Sequence, residues 1–171
     1  VDTAAGTARG IAVSSDNKTV YLANAQTGLQ LVDVSDLSSP ALLGGYNTPG
    51  TAQDVIISPD GNTAFVADNA GGLQIIDVSN TTNPSLISSL GAYTSAYDID
   101  VSADGNFVYI ADQVLGLGVV SVEDISNPIS RATLATDGFA SGVKLSNNGQ
   151  KAYLADFNSG VQIFDLTNPD A

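Results

Sequence analysis

Four aspartates that could bind a metal ion recur at a spacing of 44 residues in this chain. Asp54 and Asp98 form one such pair, and Asp68 and Asp112 form a second. Carboxylate oxygens are the ligands that Ca²⁺, a hard cation, prefers in proteins. If the fold brings these four side chains together, the sequence predicts a calcium site built from oxygen ligands alone.

A structural role competes with the metal site. A loop aspartate can also accept hydrogen bonds from nearby backbone amides, as in an Asx turn. The Asp68 position is polar in every copy of the 44-residue unit, which favours that role: Asn24, Asp68, Asp112 and Asp156. The Asp54 and Asp98 position instead holds glycine in the other two copies, Gly10 and Gly142. Asp54 and Asp98 are therefore the more specific candidates.

A second candidate set lies one residue before those aspartates and differs in every copy: Arg9, Gln53, Tyr97 and Ser141. Variation on a fixed scaffold is where binding specificity is expected, although neutral drift at a tolerant loop position gives the same pattern. Three further aromatic residues, Tyr46, Tyr93 and Phe139, lie in the neighbouring loops. Together with Tyr97 they could stack on a sugar or peptide, or fill gaps between structural units. The predicted partner is a protein or glycan ligand, bound at the face formed by the loops that precede the first strands and follow the second strands.

The composition excludes several classes of function. The 171 residues include 18 acidic and five basic side chains, a net charge of −13, and no Cys, His, Met or Trp. Scattered basic residues argue against nucleic-acid binding, which needs clustered Lys and Arg. Thiolate and imidazole metal sites and histidine-dependent catalytic triads are also excluded. No catalytic residue is predicted, calcium is the single cofactor candidate, and no apolar run is long enough for a membrane span.

The elements that must position these residues repeat with the same period. Alternate branched aliphatic residues mark a first strand in each copy, beginning near Ile11, Val55, Ile99 and Val143. Such alternation is typical of a half-buried strand. A second strand with a central aromatic residue follows, then an apolar third strand, then a weaker fourth strand after a proline. We expect the aromatic residues to pack between neighbouring sheets: Tyr21, Phe65, Tyr109 and Tyr153.

Turn residues separate these strands at constant positions. A pair that tolerates positive φ joins the first two strands of every copy: Asp16-Asn17, Asp60-Gly61, Asp104-Gly105 and Asn148-Gly149. A glycine opens the third strand in every copy, and its recurrence suggests a left-handed backbone or a close approach: Gly28, Gly72, Gly116 and Gly160. Asp33, Asp77 and Asp165 end that strand, where we expect them to accept hydrogen bonds from turn amides. Asp100 and Lys144 share a register in adjacent copies and predict an ion pair.

Four-stranded units at a period of about 40 to 45 residues are typical of β-propeller blades. The predicted fold is all-β, a β-propeller of four 44-residue, four-stranded antiparallel blades. The whole chain forms one region, with blades at approximately 8–51, 52–95, 96–139 and 140–171 together with 1–7. One blade cannot bury both faces alone, so blades must stack on neighbours. The four blades form either a four-blade ring or part of a larger ring.

Two segments carry a family resemblance. Residues 72–79 (GLQIIDVS), followed by Asn83-Pro84, and residues 28–35 (GLQLVDVS), followed by Pro40, resemble the LVIVD repeat. Residues 58–68 (SPDGNTAFVAD) are similar to YVTN-type repeats of microbial surface propellers. The copies depart from the pattern at Ser121, which replaces the strand-ending aspartate. The resemblance implies a β-propeller that is extracellular or at the cell surface, and it is unspecific about activity.

Three functions are consistent with the sequence. The leading prediction is a non-catalytic extracellular or cell-surface propeller that acts as a binding or assembly module. The first alternative is a structural protomer of a filament or surface layer, a homo-oligomer or polymer joined through shared terminal strands. Both termini fall within the fourth strand of a blade, so residues 1–3 could complete the last blade and close a four-blade ring, or protomers could share that strand head to tail. The second alternative is a metal-dependent hydrolase of the lactonase kind, with Asp54 and Asp98 as ligands.

Overall fold

Residues 6–167 are described by a computed structural model, and they form four antiparallel sheets with no helix. Each sheet follows chain order from an inner strand outward, so each is a simple meander. Since no helix occurs among the described residues, none is long and apolar enough to cross a membrane. The prediction of an all-β propeller built from four blades is confirmed.

The strands follow the predicted order. Blade 1 contains β1 (Ala8–Val13), β2 (Thr19–Asn24), β3 (Gly28–Asp33) and β4 (Ala41–Tyr46). Blade 2 contains β5 (Asp54–Ile57), β6 (Thr63–Ala67), β7 (Leu73–Asp77) and β8 (Ser85–Leu90). Blade 3 contains β9 (Ala96–Val101), β10 (Phe107–Asp112), β11 (Gly116–Ser121) and β12 (Ile129–Leu134). Blade 4 contains β13 (Ala140–Leu145), β14 (Lys151–Asp156) and β15 (Gly160–Asp165).

Turn chemistry explains the strand boundaries. The glycine that opens the third strand of each blade has φ between +73° and +89°, which a side chain would strain. The hairpin between the first two strands has positive φ in every blade, at Asn17 in blade 1 and at glycine in the others. Asp33 and Asp77 accept hydrogen bonds from the amides of Ser35 and Ser79 at 2.8 and 2.9 Å. These sequence predictions are confirmed.

The core is divided among three junctions between consecutive blades. In the first junction, Tyr21, Leu29 and Leu31 of blade 1 pack with Val55 and Val66 of blade 2. The next two junctions repeat this arrangement between blades 2 and 3 and between blades 3 and 4. Blades 2 and 3 therefore each pack one side on the preceding blade and the other on the following blade, as stacking requires.

The predicted aromatic packing holds at three of four positions. Tyr21, Phe65 and Tyr109 are at most 4% exposed, whereas Tyr153 of blade 4 is 39% exposed. No hydrophobic cluster within residues 6–167 joins blade 4 to blade 1. The exposed sides favour an open arc over the closed four-blade ring.

Blade 4 has three strands within the described residues. The residues predicted to complete it, 1–3 and those after Pro169, lie outside the described part of the chain. The predicted blade bounds group Thr7 with blade 4, but its carbonyl accepts a hydrogen bond from the amide of Ala25 at 2.9 Å, so Thr7 lies against blade 1.

Candidate functional site

Asp54 and Asp98, on the inner strands of blades 2 and 3, contact each other across the blade junction. Their carboxyl groups share a hydrogen bond. The pKa of Asp54 is raised to about 8, chiefly by burial and in addition by the hydrogen bond and negative charge of Asp98. At neutral pH Asp54 therefore holds a proton, and its hydroxyl can donate to the Asp98 carboxylate. The structure brings together this predicted pair.

Backbone amides of the following blade hold the two carboxyl groups in place. Asp98 Oδ2 accepts a hydrogen bond from the amide of Val143 at 2.6 Å. Asp54 of blade 2 likewise accepts a hydrogen bond from the amide of Ile99 in blade 3, as Asp98 of blade 3 does from blade 4. β13 pairs only with β14, so these carboxylates satisfy amides on a strand edge that has no neighbouring strand.

Gly10 makes room for Asp54. A Cβ atom on Gly10 would overlap both the carboxylate oxygen and the Cα of Asp54. Gly142 lies in the same register on blade 4, where a Cβ would be 3.6 Å from Asp98 Oδ2 and 3.5 Å from the Ala155 Cβ. The two glycines therefore differ in function: Gly10 is required by close packing, whereas Gly142 tolerates a methyl group.

A β-bulge lies just before Gly10, Asp98 and Gly142 on their inner strands. Residues 9, 97 and 141 are extra residues in the pairing of the inner strand with the second strand. A bulge turns a side chain away from the regular alternation of the strand, and bulges are common beside active sites. Arg9, Tyr97 and Ser141 are the bulged residues. The sequence placed them in one register but did not reveal this geometry.

These side chains converge on one cavity, which is called the inner-strand pocket below. Its volume is about 280 Å³, and its lining contains all four variable residues with the aspartate pair and one glycine: Arg9, Gly10, Gln53, Asp54, Tyr97, Asp98 and Ser141. Arg9 Nη1 donates a hydrogen bond to Gln53 Oε1 at 2.7 Å. The pocket therefore contains a cation, a carboxylate, a carboxylic acid and an aromatic side chain.

The other two predicted metal ligands lie in a different environment. Asp68 is fully buried and accepts hydrogen bonds from Thr48 Oγ1 at 2.5 Å and from the Gly50 amide at 2.7 Å. Burial raises its pKa, and these two hydrogen bonds partly oppose the increase. Asp112 accepts from the amides of Ser95, Val114 and Leu115, each at 2.9 Å. Neither residue lines the inner-strand pocket.

The donor set of the pocket does not suit a calcium ion on its own. Calcium takes about six to eight oxygen ligands. The pocket offers two carboxyl groups, and the amide oxygen of Gln53 already accepts from the Arg9 guanidinium. Within residues 6–167 no group of three or more His, Cys, Asp or Glu is arranged to hold a metal ion. The calcium site stays a prediction, and of the four candidate ligands only Asp54 and Asp98 line the pocket.

The loop aromatics divide between packing and the pocket. Tyr93 is fully buried, its hydroxyl lies 2.8 Å from Ser130 Oγ, and its ring occupies the space beside Gly118. Tyr46 packs against the core between blades 1 and 2, and Phe139 is 54% exposed outside the pocket. Tyr97 is the one member of this predicted group that lines the pocket.

The predicted ion pair between blades is confirmed, and it includes an unpredicted contact. Lys144 Nζ lies 2.9 Å from Asp100 Oδ2. The same oxygen accepts the amide of Leu145 at 2.8 Å, while Oδ1 accepts that of Val101 at 2.9 Å. Asp100 and Asp98 thus both fasten blade 3 to blade 4. In both contacts the aspartate accepts from the backbone amide 45 residues later in the chain, a recurring spacing that the sequence analysis missed.

The family assignment rests on the whole chain. The LVIVD repeat model matches residues 5–48, 49–91, 96–135 and 137–171. The chain belongs to the LVIVD repeat family. No curated protein is significantly similar to it in sequence.

Solved structures similar to the LVIVD chain include several propellers. Two are described as a "putative 6-phosphogluconolactonase", from Bacteroides uniformis ATCC 8492 and from Bacteroides fragilis NCTC 9343, with TM-scores of 0.81 and 0.79. Both are 16% identical, and the match covers 94% of this chain but 50% and 51% of theirs. The β-propeller domain of Myceliophteria thermophila Cps50 (Swd1) has a TM-score of 0.78 at 11% identity, covering 95% and 52%.

These likenesses concern the fold alone, because the identities are far below 25%. The LVIVD chain spans about half the length of the structures it matches. Its four blades therefore correspond to part of those larger propellers.

Proposed function

We propose that this LVIVD protein is a non-catalytic binding module, extracellular or at the cell surface, whose ligand occupies the inner-strand pocket. One observation carries the proposal: the register that differs in every blade meets the aspartate pair in one cavity. The blade scaffold repeats, and the variable side chains lie where the repeats converge. Such variation on a rigid scaffold is the usual arrangement of a binding site.

The chemistry of the pocket suits a glycan. The Arg9 guanidinium and the Tyr97 hydroxyl supply donors, whereas Asp98 supplies an acceptor. Donors and acceptors together in a small cavity match a hydroxyl-rich sugar, and the Tyr97 ring offers an apolar face. The volume of about 280 Å³ lies just below the usual range for ligand pockets, about 300 to 1,000 Å³, so one sugar unit is the expected occupant.

A glycan array tests this proposal. The fluorescently labelled chain is expected to retain a small group of related glycans, and Tyr97→Ala should reduce that signal by about tenfold, roughly the loss of 1.4 kcal/mol. Phe139→Ala is the matched control, because Phe139 is an exposed aromatic on the same side but outside the pocket. Retention that is equal for wild type and Tyr97→Ala contradicts the assignment. Binding to a peptide array, together with no binding to the glycan array, would indicate a protein ligand.

The surface location is part of the same proposal. A net charge of −13 and the absence of cysteine are compatible with it, and the resemblance to surface propellers supports it. Brief protease treatment of intact source cells should remove the protein while a cytoplasmic marker survives. Survival of the protein alongside that marker would place it inside the cell.

A second candidate, a metal-dependent hydrolase of the lactonase kind, is favoured by the aspartate pair. A carboxyl group with a pKa raised to about 8, beside a second carboxyl group in a pocket, is typical of functional sites. A sugar lactone incubated with the chain and a divalent cation provides the test. Ring opening that Asp98→Asn abolishes would establish the hydrolase, and equal rates with and without protein would reject it.

A further inference from the structure

Blade 1 exposes a side chain that its counterparts bury. Val55, Ile99 and Val143 occupy one register on the inner strands, face the preceding blade and are at most 6% exposed. Ile11 has the same register in blade 1 and is 64% exposed. Val13, two residues along β1, is also exposed, and Leu22 is half-buried. Ile11, Val13 and Leu22 define the leading face.

Blade 4 exposes the complementary side. Leu29, Leu73 and Leu117 face the following blade and are fully buried. Val161 has their register in blade 4 and is 67% exposed. Ile163 and Tyr153 are exposed beside it. Val161, Ile163 and Tyr153 define the trailing face.

The trailing face has a shallow apolar depression. At the equivalent place in the internal junctions, a side chain from the following blade is packed. Its volume is about 290 Å³, and its lining includes Val143, Tyr153, Leu154, Ala155 and Val161. In the first junction the counterparts of Tyr153, Ala155 and Val161 are Tyr21, Ala23 and Leu29, which cluster with Val55 of the next blade. Ile11 is the counterpart of Val55, so the leading face carries the side chain that matches this depression.

We propose that a second copy of the chain covers both faces, each leading face packing on the trailing face of the other copy. The two junctions would be related by a twofold axis, the commonest symmetry of homo-oligomers. The resulting ring would have eight blades, within the range of about four to eight known for propellers. The matched propellers are about twice as long as this chain, as the addition of a second arc requires. Exposed contiguous apolar faces of this kind are typical of interaction sites.

Light scattering after size-exclusion chromatography tests this proposal. Wild type is expected at twice the chain mass of 17.4 kDa. Ile11→Asp and Ile163→Asp should each be monomeric, because a buried aspartate would weaken each junction about a hundredfold or more. Leu37→Asp is the control, because Leu37 is 84% exposed in the loop between β3 and β4 and outside both faces. Unchanged circular dichroism would show that the variants fold.

Mixing the two variants sharpens the test. A pair made of one Ile11→Asp copy and one Ile163→Asp copy retains one unaltered junction, so dimer should reappear only in the mixture. Wild type that stays monomeric at millimolar concentration overturns the proposal. Particles that keep growing beyond two copies also overturn it, since they show an open chain of copies rather than a closed ring.

Discussion

Two sets of aspartates in this LVIVD protein differ in what they contact. Asp68 and Asp112 lie at the ends of second strands and accept hydrogen bonds from the loops around them. Asp54 and Asp98 lie on the inner strands of blades 2 and 3, and each accepts a hydrogen bond from a backbone amide of the following blade. Their side chains also contact each other across the junction between blades 2 and 3. The first set recurs in the sequence because every blade needs the same loop. The second set is confined to two blades, and both of its members line the pocket, to which all four blades contribute.

The difference teaches how to separate structure from specificity in a repeat protein. A residue repeated in every unit satisfies a need that every unit shares. A residue that changes between units, at a position the scaffold holds fixed, is free to serve a ligand. Substitutions in the two sets should therefore have different effects on stability.

The largest effect is expected from Asp68→Ala. This change removes a buried acceptor and leaves the Gly50 amide and the Thr48 hydroxyl without their partner, at a cost of about 3 kcal/mol. Urea denaturation followed by tyrosine fluorescence measures the loss. Asp77→Ala is the control at an exposed turn and should cost clearly less. Equal losses for the two variants would contradict the structural role of Asp68.

The next effect separates the two glycines beside the aspartate pair. Gly10→Ala should destabilise the chain by about 1–3 kcal/mol, because the new methyl group overlaps Asp54. Gly142→Ala should change stability by less than about 1 kcal/mol, since its nearest neighbours are 3.5 and 3.6 Å away. Thermal denaturation of both variants gives the comparison. If Gly142→Ala is the more damaging change, the packing described for Asp54 is wrong.

The aspartate pair should make stability depend on pH. The pKa of Asp54 rises from 3.8 to about 8 on folding, so the folded chain holds more protons than the unfolded chain between those values. Stability therefore falls as pH rises from about 4 to about 8. Asp54→Asn imitates the protonated acid and should gain about 1.4 kcal/mol or more over wild type at pH 8, the equivalent of one pKa unit.

Denaturation midpoints at pH 5 and pH 8 check this prediction. The difference between Asp54→Asn and wild type should shrink toward the lower pH, where wild-type Asp54 is also protonated in the folded state. Parallel curves for the two proteins would mean that Asp54 and Asp98 do not share a proton.

The smallest effect is expected from Lys144→Met. Lys144 is 74% exposed, so its ion pair with Asp100 should contribute less than about 0.5 kcal/mol, and added salt should reduce that further. Asp100→Ala should cost more, because it also frees the amides of Leu145 and Val101. Chemical denaturation at low and high salt distinguishes the two. A larger loss for Lys144→Met would assign the junction to charge rather than to amide hydrogen bonds.

The sequence predicted those features that recur in each repeat. Strand order, the left-handed glycines such as Gly72 and the hairpin turns follow from residue types at constant spacing. The register of Arg9, Gln53, Tyr97 and Ser141 could be read in the same way. Their convergence on one cavity depends on how the four blades are placed, and it is seen in the structure alone.

The contacts between blades could not be predicted, because they depend on how neighbouring sheets are placed. The bulges at Arg9, Tyr97 and Ser141 leave no signal in residue type. The hydrogen bond from Val143 to Asp98 joins residues in different repeats, and the packing of Tyr93 beside Gly118 does so as well. The alternation of apolar residues within a strand shows which face of one sheet is buried, but it contains no information on how neighbouring sheets are placed.

Amide chemical-shift mapping of the ¹⁵N-labelled chain tests the central claim most directly. A glycan selected on the array should shift the amide signals of Gly10, Gln53, Tyr97, Asp98 and Ser141 more than those of the hairpin turns at Gly61 and Gly105. Tyr97→Ala should reduce these shifts, while Phe139→Ala should leave them unchanged. Shifts centred on the hairpin turns, or none at saturating glycan, would contradict the assignment of the inner-strand pocket as the binding site.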